Sequence, residues 1–245
     1  MTLKVQHIWN VKDRGKDDYP WVNRLKLRPM KDFQPDWYKK VPREIENESF
    51  FTLKMCPSTT NFMNKGFVVT NPADMFVKRI SETEIQVNTD VSDNHHLLGH
   101  PKEQFGENYP FEQGFLEHSF KFESFWELDL SRSSTLLVLP CWWHPSHNLI
   151  KAYHGMIHLD KERTPTNYLI NTKIRAPEIG ESYKIVAETP IAHFFFIDVL
   201  DAEIGEDLPD YSNLDGRRNH ELHGTARYSK GYFDYLKSYV LRRKK

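Results

Sequence analysis

The segment "HGMIHLD" brings two potential metal ligands close together, because His158 and Asp160 are separated by a single residue. In a β-strand, residues i and i+2 point to the same face of the sheet. If His193 lies on a neighbouring strand, the three side chains provide two imidazoles and one carboxylate, the ligand set of non-haem iron(II) oxygenases. Zinc accepts the same donors. The pattern predicts a candidate iron or zinc site at His158, Asp160 and His193, and with it a metal-dependent enzyme as one alternative.

A second group of polar and aromatic side chains lies in "CWWHPSHN", which follows a predicted buried strand. Its two tryptophans can form an aromatic wall for a base or a sugar, with the neighbouring polar side chains as hydrogen-bonding groups. The alternative is a hydrophobic plug at a subunit or arm interface. We expect a ligand surface that combines this loop with the face of Asp160. Its predicted residues are Trp142, Trp143, His144, His147, Asn148 and Asp160.

The two cysteines offer little support for nucleophilic catalysis. Cys56 is followed by Pro57, and we interpret this proline as the end of a strand rather than the start of a helix that would activate the thiol. Cys141 is close to His144 in the sequence, which would allow a reactive thiol. A buried free thiol is the ordinary expectation for such a residue.

Composition indicates an ordinary globular protein. Hydrophobic residues make up 39% of the 245 residues, charged residues make up 27%, and the net charge is −1. This charge argues against nucleic acid or an anionic membrane as a partner. No apolar stretch is long enough to cross a bilayer, and the first residues do not have the pattern of a secretory signal. Two cysteines far apart fit a reducing compartment, so we expect a cytoplasmic location.

Short apolar stretches at regular spacing predict a mainly β protein of the sandwich, barrel or a related class. In "TEIQVNTDV", Ile85 and Val87 alternate with polar residues, the period of a half-buried strand. The continuous apolar run "STLLVLP" predicts a strand buried on both faces. We expect a long loop over 92–114, where Gly99 and Pro101 argue against a helix. Further strands are expected at 66–69, 75–80, 124–130, 149–159, 166–174, 182–187 and 191–200.

The pattern divides the chain into three parts. We expect an irregular, aromatic N-terminal arm over 1–45, because Pro29, Pro35 and Pro42 exclude a long helix there. The β core is expected over 46–200. A linker and a C-terminal amphipathic helix are expected over 201–245. The apolar residues at helical spacing in this last part are Tyr228, Tyr232, Leu236, Tyr239 and Val240.

Four segments occur in an order that resembles an uncharacterised family of proteins encoded by tailed phages and some bacteria. They are "PDWYKKVP", "CPSTTNFMNKGFVVTNPAD", "FKFESFWELDL" and "PIAHFFFID". The resemblance extends roughly over 33–200. It implies a phage-type accessory protein in the host cytoplasm, and it brings no established activity.

The later part of the chain is similar in motif order to dUTPases and dCTP deaminases. "GMIHLD", "YLINTKI" and "ESYKIVAETPIAHFFFI" follow the order of their G-V-I-D-x-D-Y motif, a strand with Asn, and G-x-R-I-A-Q. Gly155, Ile157 and Asp160 match the first motif, and Ile191 and Ala192 match the Ile-Ala pair. The resemblance implies a β-clip fold and, by analogy, a trimer with sites between subunits.

The departures from these enzymes concern the residues that carry their chemistry. His158 stands where dUTPases have the aspartate that activates water, His193 replaces a glutamine, and "CWWHPSHN" replaces the Arg-Ser loop that holds phosphates. We therefore do not expect dUTP hydrolysis. The sequence predicts a non-catalytic protein that binds a small, nucleotide-like ligand or packs in an assembly. A metal-dependent enzyme and a structural virion component are the alternatives.

Overall fold

The computed structural model describes residues 3–9, 20–45, 52–81, 84–90, 97–100, 102–106, 108–160, 166–197 and 202–205. The chain divides into two compact units, Met1–Asp207 and Leu208–Lys245, and every described residue belongs to the first. The predicted C-terminal helix lies outside the described residues. None of the helices in the described part has the length and apolar character needed to cross a membrane.

The structure is mainly β, as the sequence predicts. In chain order, the strands are β1 (Leu3–Trp9), β2 (Arg28–Pro29), β3 (Phe67–Thr70), β4 (Met75–Arg79), β5 (Ile85–Thr89), β6 (Leu97–His100), β7 (Ser119–Leu130), β8 (Ser134–Pro140), β9 (Ile150–Ala152), β10 (Gly155–Leu159), β11 (Thr166–Ile174), β12 (Ser182–Ile185), β13 (Pro190–Phe196) and β14 (Ala202–Ile204). Two short helices are described, α1 (Asp36–Lys40) and α2 (Pro57–Asn64). Single 3₁₀ turns lie at Pro20–Leu25, Met30–Phe33, Leu53–Met55, Lys102–Phe105 and Pro145–Asn148.

Sheet A is a six-stranded sheet with the order β14-β1-β7-β11-β9, in which β6 also pairs with β7. All its pairs are antiparallel except β1 with β14, which is parallel. The start of the chain is therefore not wholly an irregular arm, because Leu3–Trp9 is an inner strand of this sheet. Leu3 and Val5 are buried on one face while Lys4 is exposed, the alternation that β geometry requires.

Sheet B has the order β10-β8-β13-β3-β2, and sheet C has the order β12-β4-β5. In β8, Leu136 and Val138 are buried, whereas Leu137 and Leu139 on the opposite face are half-buried. The prediction that this strand is buried on both faces is therefore only partly right. One face of sheet B enters the main core, and other elements cover the opposite face incompletely.

The main core receives buried side chains from all three sheets and from the turn at Pro20–Leu25. Tyr168 of sheet A packs against Phe194 of sheet B, with ring centroids 6.0 Å apart. The Tyr168 hydroxyl donates to the carbonyl oxygen of Leu25, so that its polar end is satisfied within the core. Burial of these large side chains is the main stabilising contribution to such a fold.

A second core covers part of the outer face of sheet B. Its buried members come from the turn at Met30–Phe33, both helices, β3 and the start of the loop after β8: they are Met30, Tyr38, Met63, Val68, Cys141 and Trp143. Helix α2 contradicts the expectation of a strand end at Pro57. Proline is favoured in the first turn of a helix, where its missing N–H leaves no hydrogen bond unmade.

The segment 92–114 is more regular than the sequence predicts. Leu97–His100 forms β6 and pairs with the first half of β7, and a 3₁₀ turn follows at Lys102–Phe105. Short elements of this kind carry too few residues to show a period in the sequence. The strand expected at 166–174 is confirmed with the same bounds.

Candidate functional site

The structure does not bring the three predicted metal ligands together. His158 on β10 pairs with Thr135 of β8, whereas His193 on β13 pairs with Leu139, four residues further along the same strand. With about 3.3 Å per residue and about 4.8 Å between strands, the backbones at the two histidines lie about 16 Å apart. Among the described residues, no group of three or more His, Cys, Asp or Glu side chains could hold a metal ion.

His158 and Asp160 each contact a residue in or next to β8. His158 is exposed, and its Nδ1 lies 3.3 Å from the hydroxyl of Thr135. The Ser133 hydroxyl donates to the carboxylate of Asp160 at 3.2 Å. These contacts lie at one end of the antiparallel pair of β8 and β10.

His193 is a histidine of the second core. It is fully buried, and its ring packs against Phe62 of α2 at 4.7 Å and against Phe195 at 4.2 Å between centroids. Its Nε2–H donates to the carbonyl oxygen of Lys65 at 3.0 Å, so the other ring nitrogen, Nδ1, is unprotonated. Burial lowers the pKa of His193 to about 4. The imidazole is therefore neutral at physiological pH.

The two tryptophans of the loop after β8 have different surroundings. Trp143 is 3% exposed in the second core, and its carbonyl oxygen accepts a hydrogen bond from the Trp37 indole at 3.1 Å. Trp142 is 53% exposed, and its ring packs against the ring of Phe62 with a centroid distance of 5.4 Å. They do not form one aromatic wall. Trp143 instead packs against the segment that contains α1.

The polar residues of this loop mainly stabilise the loop itself. His144 Nδ1 accepts from the backbone N–H of Ser146 at 3.2 Å and lies 2.6 Å from its hydroxyl. Burial lowers the pKa of His144, and burial followed by the nearby Lys151 lowers the pKa of His147. Asn148 is exposed at the end of the 3₁₀ turn.

The loop and the His158/Asp160 face do not form one ligand surface. The loop follows Pro140 at one end of β8, whereas His158 pairs with Thr135 near the other end. Five residues of extended chain separate these positions by about 17 Å. The predicted surface is therefore divided between two ends of sheet B.

The two cysteines differ sharply in environment. Cys141 is buried, and burial raises the pKa of its thiol well above the ordinary value, as expected for a structural cysteine. Cys56 is half-buried at the N-cap of α2, with its sulfur 3.0 Å from the Ser58 hydroxyl. Hydrogen bonds from that hydroxyl and from the backbone of Thr59 lower the pKa of Cys56 to about 7. The sequence interpretation of Cys56 as a residue at a strand end is wrong.

We expect Cys56 to react with iodoacetamide with a pH midpoint near 7, because hydrogen bonds stabilise its thiolate. Peptide mass spectrometry measures the rate at each pH, and Cys141 should stay unmodified until the protein unfolds. In Ser58→Ala the midpoint should move towards 9.0, the ordinary value for cysteine. A midpoint near 9 in the wild type, or equal labelling of Cys141 in the folded protein, would contradict this assignment.

A pocket of about 430 Å³ lies beside Cys56, between the segment that contains α1 and helix α2. Its apolar part is formed by Tyr38, Met55 and Pro57. The polar lining residues are Gln34, Arg43, Lys54, Thr60 and Asn64. Volumes of about 300–1,000 Å³ with a few convergent polar groups are typical of small-molecule sites. We take this pocket as the candidate functional site.

Side-chain hydrogen bonds hold the polar wall of the pocket in place. Gln34 Nε2 donates to the Asn64 side chain at 2.8 Å and to the carbonyl oxygen of Met63 at 3.1 Å. The Thr60 hydroxyl donates to the carbonyl oxygen of Lys54 at 2.7 Å. These bonds join three chain segments, so the pocket has a preformed shape.

Sequence reasoning missed this pocket, since its residues are spread over 34–64 and share no motif. The available signal was Pro57 at a helix start, which places Thr60 and Asn64 on one helical face at i and i+4. Thr60 and Asn64 can be recognised as neighbours on one face only when "PSTTNFMN" is assigned to a helix.

A second polar cluster, on sheet A, pairs two ammonium groups with one carboxylate. Lys151 and Lys173 lie 2.5 and 2.6 Å from the two carboxylate oxygens of Glu112, and both ammonium groups lie over the ring of Phe115. The contacts with the two ammonium groups lower the pKa of Glu112 against the opposing effect of burial. This cluster links three segments of the sheet, and we assign it a structural role.

A scan against protein-family models found no match for the chain, and searches of curated proteins and of solved structures found none either.

Proposed function

We propose that this protein binds a small molecule in the pocket between α1 and α2. The observation that carries the proposal is a preformed pocket of about 430 Å³ whose wall combines apolar groups with converging polar side chains. The sequence predicts a small-molecule binding role, and a pocket of this size and lining supports it. None of the described lining residues belongs to the Trp142–Asn148 loop.

The composition of the pocket supports binding of a molecule with both an apolar and a polar part. Met55 is 42% exposed, which leaves part of its surface available to a ligand. Tyr38 lines the pocket, and its hydroxyl lies 3.4 Å from the Thr60 hydroxyl on the polar side. A ligand can therefore bury apolar surface on one side and form hydrogen bonds on the other.

A fragment screen with the full chain tests this proposal. In ligand-observed NMR, fragments should bind the wild type but not Asn64→Trp, because an indole at this exposed lining position fills the pocket. Asn61→Trp is the matched control, since Asn61 is exposed on the same helix and does not line the pocket. A ligand at 100 times its dissociation constant should also stabilise the wild type by about 2.7 kcal/mol.

Two outcomes would overturn the proposal. One is the absence of any fragment that binds the wild type. The other is equal binding to the wild type, Asn64→Trp and Asn61→Trp, which would locate the fragments elsewhere. Thermal unfolding of each variant shows that it is folded before binding is compared.

We also propose that the β core has the β-clip arrangement and that the chain is a phage-type accessory protein. The support for the fold is the antiparallel order β10-β8-β13, which places Gly155 and Ile157 on one side of β8 and Ile191 and Ala192 on the other. By analogy this fold implies a trimer. A monomer by sedimentation equilibrium at all concentrations would count against the assignment.

A further inference from the structure

Among the described residues that line the candidate pocket, the charged side chains are of one sign. Arg43 and Lys54 line it, and no described aspartate or glutamate does. Some cations elsewhere in the described chain do form ion pairs, as in Lys102–Glu117 and Arg175–Glu181. Neither Arg43 nor Lys54 forms an ion pair with a described residue. The pocket therefore holds two positive charges without a counter-ion from the described residues.

Lys54 is held in place, but its charge is not neutralised. Its Nζ donates to the carbonyl oxygens of Lys39 at 3.0 Å and Val41 at 3.2 Å, at the end of α1, and lies 5.7 Å from the centroid of the Tyr38 ring. An ammonium group has three donors, so one remains for a ligand. These contacts fix the position of the charge before any ligand arrives.

The hydrogen-bonding groups left over in the pocket are mainly donors. Both amide hydrogens of Gln34 are used within the protein, whereas Asn64 Nδ2 donates to the carbonyl oxygen of Thr60 at 2.7 Å and keeps one. The Arg43 side chain is exposed and forms no hydrogen bond with a described residue, so its five N–H donors are available. Such a pocket complements a ligand group that only accepts hydrogen bonds.

The number of charges distinguishes a phosphate from a carboxylate. A phosphate monoester carries about −1.5 to −2 charges at pH 7 and three acceptor oxygens, whereas a carboxylate carries one charge. Arginine binds phosphate through two parallel N–H groups, and lysine binds it as a point charge. A dianion therefore matches the two positive charges in number, and its oxygens can accept hydrogen bonds from donors of the kind that line this pocket.

We propose that the ligand of this pocket is a small organic phosphate monoester, with its phosphate between Arg43 and Lys54 and its organic part against Met55 and Pro57. This inference rests on the proposed function and adds the chemical class of the ligand. Lys54 already donates hydrogen bonds to the backbone at the end of α1. The Arg43 side chain has no such bond with a described residue, so the hydrogen bonds between Arg43 and the phosphate form only when the ligand binds. The ordinary nucleotide monophosphates belong to this class.

Titration of the full chain with three aromatic probes tests the inference. Phenyl phosphate, benzoate and benzyl alcohol have a similar ring and carry a phosphate, a carboxylate and no charge, respectively. In isothermal titration calorimetry, phenyl phosphate should bind most tightly, and inorganic phosphate should compete with it. Arg43→Gln should weaken phenyl phosphate by about tenfold or more, because a charged hydrogen-bonding partner is lost.

The matched control is Lys40→Gln. Lys40 is an exposed residue of α1 near Arg43 that does not line the pocket, so the variant removes one positive charge without touching the ligand. It should change the affinity for phenyl phosphate less than threefold. An equal loss in Lys40→Gln and Arg43→Gln would mean that only the general field of the surface attracts the anion, and the inference would be overturned.

The probes also separate failure of this inference from failure of the proposed function. If benzoate or benzyl alcohol binds as tightly as phenyl phosphate, and Asn64→Trp abolishes that binding, the pocket binds small molecules but does not select phosphate. If no probe and no fragment of any charge binds the wild type, both proposals are overturned.

Discussion

Gly66→Ala should reduce the free energy of unfolding by about 3 kcal/mol, the sum of a backbone strain and a steric overlap. Gly66 has φ +81°, in the left-handed region that disfavours a side chain. A methyl group at this position would also lie 2.5 Å from the carbonyl oxygen of Phe194 and 2.9 Å from Nε2 of His193. Urea unfolding followed by tryptophan fluorescence measures the change.

Substitutions at two other glycines separate the effect of backbone strain from the effect of steric overlap. Gly180 has φ +84° but open space around it, so Gly180→Ala should cost only the backbone strain, about 1–2 kcal/mol. Gly155 has neither positive φ nor a close neighbour, so Gly155→Ala should change stability by less than about 0.5 kcal/mol. If Gly66→Ala is no more destabilising than Gly180→Ala, a methyl group at Gly66 does not overlap with β13, and the close approach of the two segments is contradicted.

Acidification should destabilise the protein through His193 by about 3 kcal/mol between pH 6.5 and pH 4. Burial lowers the pKa of His193 to about 4 in the folded protein, whereas the ordinary value of 6.5 applies when it is unfolded. The unfolded chain therefore takes up a proton first as the pH falls. The stabilisation that His193 provides is fully present above pH 6.5 and is lost progressively as the pH falls towards 4. Below about pH 4, no further stability is lost through this residue.

His193→Gln isolates this contribution, because the glutamine amide can still donate to the carbonyl oxygen of Lys65 but does not titrate. The difference in unfolding free energy between wild type and variant should shrink steadily from pH 7 to pH 4 in urea titrations. His158→Gln is the control, since it removes an exposed imidazole and leaves the buried one in place. A difference that does not vary with pH would show that His193 is not a buried neutral histidine.

The β core was largely predictable from the sequence, because its strands show apolar residues at a spacing set by local backbone geometry. The alternation in "TEIQVNTDV" predicts a strand over 83–91 on period alone, and the structure has Ile85–Thr89. Leu3 and Val5 alternate with Lys4 and Gln6 in the same way, but the prediction of an irregular arm over 1–45 rested on Pro29, Pro35 and Pro42, which exclude a long helix. The pairing of β1 with β7 is a long-range contact, which local patterns do not reveal.

The candidate site was not predictable for a related reason. A proline ends many strands and begins many helices, and the choice at Pro57 determined the interpretation of Cys56 and of the pocket. Without α2 there is no Phe62 to cover His193, which then looks like an available metal ligand on an open strand. With α2 present, the same imidazole is buried against Phe62 and donates a hydrogen bond to the carbonyl oxygen of Lys65.

The pairing of β1 has a consequence for the order of events during synthesis on the ribosome. Val5 is translated well before its neighbours in sheet A, Leu130 and Ile204, which leave the exit tunnel much later. At about 5–20 residues per second, β1 waits several seconds for β7 and longer for β14. During this time its apolar side chains have no sheet partner, and chaperones that hold extended apolar segments should engage the nascent chain there.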